Sequence, residues 1–228
     1  MGEGSVIQAG AFLNVKRSHG GKRWRTRLVD ERGALAISQH LELPDALGRI
    51  LAARGVDVSE AEAFLEPKLR DLLPDPSHLL DMDRAVERIV AAINTGEKIG
   101  VFADYDVDGA CSGSLLAKFF AAIGRNVTVY VPDRITEGYG PNTPALMKLK
   151  EAGVSLVITV DCGTTAFAPL AAAAEAGLDI VVVDHHVAEP ELPQAVAVVN
   201  PNRLDETSPV GQLCAAGVTF LVIIAVNR

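Results

Sequence analysis

Residues 101–113, VFADYDVDGACSG, set three carboxylates at every second position, Asp104, Asp106 and Asp108, between an apolar run and a stretch of small residues. In extended backbone, side chains at i, i+2 and i+4 share a direction, so the three can converge at the end of a strand. Bare carboxylates packed that closely repel and take up protons. A divalent cation keeps them charged, and oxygen donors suit Mg²⁺ or Mn²⁺. The competing reading is a polar turn that happens to carry three aspartates. Four more polar clusters follow apolar runs: PDRITEGYG after Val127–Val131, Asp161–Cys162–Gly163–Thr164 after Ser155–Val160, Asp184–His185–His186 after Ile180–Val183, and Asn200–Pro201–Asn202 after Ala195–Val199.

Mostly carboxylate donors with imidazole suit Mn²⁺ or Mg²⁺ better than zinc, which favours Cys and His in structural sites. Two metals about 3.5–4 Å apart, bridged by a carboxylate, are a common solution for phosphoester hydrolysis. One histidine of the pair can ligate, while its neighbour contacts phosphate or acts as a general acid. Arg134 with Glu137–Gly138–Tyr139–Gly140 makes a phosphate-contact loop, since Arg binds phosphate in a bidentate manner and glycines permit close backbone approach. The alternative for Arg134 is a plain ion pair with Glu137. Thr164 and Thr165 are candidate caps for the helix after them.

These clusters need a scaffold that brings strand ends together. From Lys98 the pattern alternates strand and helix: strands at Ile99–Ala103, Val127–Val131, Ser155–Val160, Ile180–Val183 and Ala195–Val199, and helices at Ala110–Ile123, Thr143–Ala152, Ala166–Ala176 and Cys214–Val226. Continuous apolar strands in βαβ order indicate a buried, mostly parallel, doubly wound α/β sheet. In such sheets ligands bind outside the carboxyl ends of the strands, where every polar cluster falls. Upstream, 44–55 and Asp81–Thr95 read as helices, the second amphipathic and ending at Gly96, and Ser59 with Glu62 reads as a capping box. Three regions result: an irregular extension with a weak hairpin over 1–40, a small helical region over 41–97, and the α/β domain over 98–228.

Composition agrees with a globular chain: 228 residues, 49% hydrophobic and 5% aromatic. No apolar run is long enough to span a bilayer, and MGEGSVIQAG is neither a secretory signal nor a full myristoylation pattern. Cys111, Cys162 and Cys214 are odd in number and widely spaced, which fits a reducing cytoplasm. Cys111 and Cys162 are expected as small buried residues. The formal net charge of −8 argues against a surface that coats nucleic acid generally, but not against a nucleic-acid enzyme whose aspartates bind metal. The one basic concentration, KRSHGGKRWRTR over 16–27, combines six Lys and Arg with Trp24. It suits either phosphate grip with base stacking or a solvated segment.

DYDVDG at 104–109, DCGT at 161–164 and DHH at 184–186 resemble the DHH phosphoesterase superfamily. RITEGYG at 134–140, VNPNR at 199–203, LCAAGVTF at 213–220 and the stretch over 51–89 resemble its RecJ branch of single-strand-specific 5′-to-3′ DNA exonucleases. The resemblance covers roughly 44–228. It implies a nuclease using two Mn²⁺ or Mg²⁺ ions and acting on single-stranded DNA in repair and recombination, with a single-strand-binding protein and a helicase as partners. It assigns the metals to Asp104, Asp106, Asp108, Asp161 and His185, with Asp161 bridging. It also assigns the scissile phosphate to His186 and Arg134 beside Asp108, substrate contacts to Gly138, Tyr139, Gly140 and Asn200, and a supporting role to Asp184. Phe102 stands where many members of the superfamily carry a ligating His, which leaves the work to carboxylates. The RecJ pattern continues beyond the LCAAGVTF helix with a further metal-binding Asp and additional domains, so the chain is expected to be the N-terminal portion of a longer protein. A phosphodiesterase for short oligonucleotides or cyclic dinucleotides, a silent DHH scaffold, and a receiver-like acidic pocket are the alternatives. The intact ligand set speaks against the scaffold, and the DHH strand end against the receiver.

Overall fold

The computed structural model describes residues 11–28 and 30–228. The first ten residues, with the signal and myristoylation readings that concern them, and Val29 lie outside the described residues. Two compact units result, Met1–Leu73 and Pro74–Arg228.

Among the described residues of the first unit, the chain reverses on itself over 12–24. Phe12 N–H donates to Trp24 O (3.1 Å), Trp24 N–H to Val15 O (3.1 Å) and Ser18 N–H to Lys22 O (2.8 Å). Gly21, at φ +74°, makes the turn that a side chain would strain. The irregular reading of 1–40 is corrected at 31–40, where helix α1 (Glu31–His40) forms because Asp30 accepts the N–H groups of Arg32 and Gly33. Helix α2 (Asp45–Ala53) lies so close to α1 that a Cβ at Gly48 would sit 2.1 Å from Ser38 Oγ. Ile37, Leu51, Val56 and Ala61 form the small core. Helix α3 (Ala61–Leu65) lacks the expected capping box, because Ser59 donates its N–H and hydroxyl to Asp57 instead. A one-turn helix, α4 (Leu69–Leu72), follows.

The second unit is a parallel five-stranded sheet in the order β2-β1-β3-β4-β5. Helix α5 (Met82–Thr95) leads into β1 (Ile99–Ala103), α6 (Val107–Ala122), β2 (Val127–Tyr130), α7 (Thr143–Glu151), β3 (Leu156–Val160), α8 (Phe167–Glu175), β4 (Asp179–Val183), β5 (Ala197–Val199) and α9 (Ala215–Val226). Ile99 is in register with both Val127 and Leu156, which aligns the strand ends. Strands β1 and β3 are fully buried, as their unbroken apolar runs predict. Phe102, Leu146, Leu149, Val157, Leu170 and Ile180 form a core with α7 and α8, while α9 packs against both α5 and α6. Chain order reverses between β1 and β3, so a crevice opens at their carboxyl ends.

Cys162 is buried, but Cys111 and Cys214 are exposed, contrary to the expectation for Cys111. No helix is long and apolar enough to cross a membrane among the described residues.

Candidate metal centre

The carboxylates after β1 do not continue in extended backbone. Asp104 prolongs the sheet by one bond, its N–H donating to Val160 O at 3.2 Å. The chain then turns at Asp106, whose carboxylate accepts the N–H groups of Asp108 and Gly109 and so caps α6, which starts at Val107 rather than Ala110. The turn is tight enough that a Cβ at Gly109 would meet Asp104 O at 2.3 Å. Asp108 therefore lies in the first helical turn. Both its oxygens accept backbone N–H groups, from Ala215 (2.7 Å) and Ala216 (2.8 Å), at the start of α9. An anion at a helix N-terminus is well placed there.

Past β3, Asp161 donates its N–H to Val183 O and adopts φ +61°, a left-handed conformation that is costly for a residue with a side chain. Gly163, at φ +115°, follows because a Cβ there would sit 2.7 Å from Thr159 Oγ1. Past β4, Asp184 is buried and anchors the histidine loop. One of its oxygens accepts from the N–H groups of His185 (2.7 Å) and His186 (3.3 Å) and lies 2.7 Å from His186 Nδ1, and the other accepts Thr164 N–H. This fixes His186 with Nε2 as its available nitrogen. His185 Nε2 lies 3.3 Å from Asp161 Oδ1 and 3.7 Å from Asp108 Oδ2.

Two groups of ligand atoms result, each within 4.8 Å: Asp104, Asp106 and Asp161, and Asp161, His185 and His186. Asp161 belongs to both. Burial first, then the adjacent Asp106 carboxyl and the charge of Asp108, pushes Asp161 up to about 8. Asp104 is also raised, by burial and then by Asp106. Asp106 is lowered, chiefly by Gly109 N–H. For Asp184 burial would raise the value, but the His186 ring and Thr164 hold it down to about 2. The bond to Asp184 in turn raises His186. The buried oxygens Asp104 Oδ1 and Asp161 Oδ1 have no hydrogen-bond partner. Orphaned anionic oxygens and carboxyls forced toward protonation are what a hard divalent cation relieves, so the residues present fit Mn²⁺ or Mg²⁺.

The other expected residues divide. Arg134 does not pair with Glu137, which accepts from Tyr130 Oη, Asp133 N–H and Asn142. The guanidinium lies instead over the Tyr105 ring, 5.0 Å from its centroid. Tyr139 donates to Asp161 O (3.1 Å), lies 3.3 Å from His186 Nδ1 and meets the Tyr105 ring edge-on. Gly138 and Gly140 have φ +80° and +76°, which lets the loop turn there. Asn200, expected at the substrate, is fully buried, with Nδ2 donating to Thr164 Oγ1 and His186 O and Oδ1 accepting Asn202 N–H, so in this structure it braces the histidine loop. Thr164 is likewise used in this bracing, and α8 has no side-chain cap. Phe102 is buried and stacked on Tyr130. Tyr105 went unsignalled in the sequence because a single aromatic between two aspartates reads as a spacer.

A family profile described as "DHH family, N-terminal domain" matches residues 98–227. The chain is 38% identical over 199 residues to the single-stranded-DNA-specific exonuclease RecJ of Bacillus subtilis, covering 87% of this chain and 25% of that protein. It is 34% identical over 204 residues to the Escherichia coli RecJ, covering 89% and 34% respectively. The structure is similar to that of Thermus thermophilus RecJ in complex with Mn²⁺, with TM-score 0.70 and 27% identity over 88% of this chain and 28% of the other. A crystal structure of exonuclease RecJ bound to manganese matches with TM-score 0.60 and 32% identity over 65% of this chain and 38% of the other. The chain spans about a quarter to a third of the length of these curated relatives.

Proposed function

This chain belongs to the DHH family, and on that premise we propose that it is the metal-binding part of a Mn²⁺- or Mg²⁺-dependent 5′-to-3′ exonuclease that hydrolyses single-stranded DNA in repair and recombination. The observation that carries the reading is the place of Asp161 in both groups of ligand atoms, the position of a bridging carboxylate. Asp104 and Asp106 complete one site and His185 the other, while Asp108 secures α9 against the centre and faces His185. Divalent ions held there would supply an activated water and charge neutralisation at the phosphoryl group.

The chain's own residues then have separate tasks. Asp184 holds the His186 ring and favours its protonated form, so that Nε2–H donates to a non-bridging phosphate oxygen or to the leaving oxygen. Arg134, held over Tyr105, offers a guanidinium fork to a phosphate. Tyr139 fixes the loop from Gly138 to Gly140 against Asp161 O. The 5′ polarity, the preference for single strands and the partners, a single-strand-binding protein and a helicase, come to this chain from the RecJ resemblance, and the cytoplasmic location from its odd, widely spaced cysteines.

The test is Mn²⁺-dependent nucleotide release from 5′-labelled and 3′-labelled single-stranded DNA, with Mn²⁺ binding measured in parallel. Release from the 5′ end is expected, lost in His186→Ala while Mn²⁺ remains bound. Cleavage confined to dinucleotides would assign the site to small substrates, and bound metal with no turnover would assign a scaffold role.

A further inference from the structure

Lys16–Arg27 hold six of the chain's 21 Lys and Arg and no carboxylate, in a chain whose net charge is −8. The structure folds this segment back on itself, so the cations form a patch instead of a string. The Ser18–Lys22 turn is closed by Ser18 N–H to Lys22 O (2.8 Å), Gly21 N–H to Ser18 O (2.9 Å) and Lys22 N–H to Ser18 Oγ (3.2 Å). This sets Lys16 and Arg17 on one arm beside Lys22, Arg23 and Arg25 on the other. All are exposed. Lys16, Arg17, Lys22 and Arg25 make no ion pair among the described residues. Phe12 N–H donates to Trp24 O, which joins two aromatic residues that are both nearly half exposed, at 45% and 47%.

Exposed cations that make no ion pair among the described residues are available to an anionic partner. Exposed rings beside them add a partner with flat faces. We infer that this hairpin is a binding site for single-stranded nucleic acid, with phosphates held by Lys16, Arg17, Lys22 and Arg25 and a base stacked on Trp24. Bases in a duplex are already stacked on one another and offer no free face, so the site selects single strands. An anionic membrane would meet the same cations. Among the described residues, 11–27 hold a three-residue 3₁₀ turn and no amphipathic helix to lie in a headgroup layer, which favours nucleic acid.

Trp24 is the single tryptophan of the chain, so its fluorescence reports this site alone. The whole chain is titrated with oligo-dT in EDTA. Hydrolysis is silent there, and an inactive metal centre and a non-binding hairpin give separate results. Quenching is expected. With four phosphate contacts the affinity falls about fiftyfold between about 50 and 200 mM salt. Arg17→Glu with Lys22→Glu lowers the slope of log K against log salt by about 1.4, as two lost contacts require. Trp24→Ala, followed by anisotropy of a labelled oligonucleotide, binds about fivefold to a hundredfold more weakly, Trp24→Phe binds more tightly than Trp24→Ala, and Lys118→Glu on the other unit leaves the slope unchanged. No quenching, an unchanged slope in the double variant, or equal quenching by a duplex overturns the inference. So does a blue shift with phosphatidylserine vesicles and none of these effects with oligo-dT.

Discussion

Asp161→Asn separates what the metal centre gives from what it costs. The side chain is nearly isosteric and, like Asp, tolerates the left-handed backbone seen at φ +61°. In the folded, metal-free protein burial and the neighbouring carboxyls push Asp161 from 3.8 to about 8. A carboxyl whose folded value lies above its unfolded one stabilises most at low pH, and that contribution is lost as pH rises from about 4 to about 8. At pH 7 the difference sets a ceiling of about 4 kcal/mol on the destabilisation, at about 1.36 kcal/mol per unit. Asn carries no such charge, so in EDTA the variant is expected to be more stable than the parent at pH 7–8 and equal to it near pH 4. With Mn²⁺ the order reverses, because the parent gains binding energy and the variant loses the carboxylate shared by both sites. The assay is chemical or thermal denaturation at pH 4, 6 and 8, with EDTA and with Mn²⁺. A variant less stable in EDTA at every pH, or one that Mn²⁺ stabilises as strongly as the parent, would refute the reasoning.

Three further outcomes are expected. Gly109→Ala places a methyl group 2.3 Å from Asp104 O, so the strand-to-helix turn must open. Thermal unfolding should show a loss of about 1–3 kcal/mol, and calorimetry weaker Mn²⁺ binding. Glu97, held down to about 2 by Arg88 and Ser155, ties α5 to the sheet through the Arg88–Asp179 pair. Its contribution is present above the unfolded value near 4.5 and is lost as pH falls toward 2, and Glu97→Gln should cost about 1.5–3 kcal/mol at pH 7 and flatten the acid limb of the stability curve. Tyr105→Leu removes the face beneath Arg134, worth about 0.5–1 kcal/mol. This should raise KM for DNA about two- to fivefold with kcat and Mn²⁺ affinity kept, and Tyr105→Phe should restore it.

The α/β unit was legible because short, β-branched, mostly apolar runs such as Leu156–Val160 fit buried strands, and because polar clusters after each run mark one end of a parallel sheet. Spacing alone misplaced Asp108: alternation implied extended backbone, but Asp106 caps a helix that begins at Val107, and Asp108 turns toward the amides of α9. That contact joins residues 107 positions apart, which no local pattern encodes. Asn200 misled for a similar reason, since an Asn at a strand end serves a ligand or a loop equally well until its partners are known. Helix α1 escaped notice because its start depends on one Asp30 cap and its burial on Gly48 of the next helix.

The measurement that bears most directly on the proposed centre is the stoichiometry of Mn²⁺ binding, by calorimetry with electron paramagnetic resonance of the bound ions, for the parent, His185→Ala and Asp161→Asn. Two magnetically coupled ions are predicted for the parent, one for His185→Ala and none bound tightly for Asp161→Asn. A single uncoupled ion in the parent, or one ion retained when Asp161 is replaced, would contradict a centre built around a shared carboxylate.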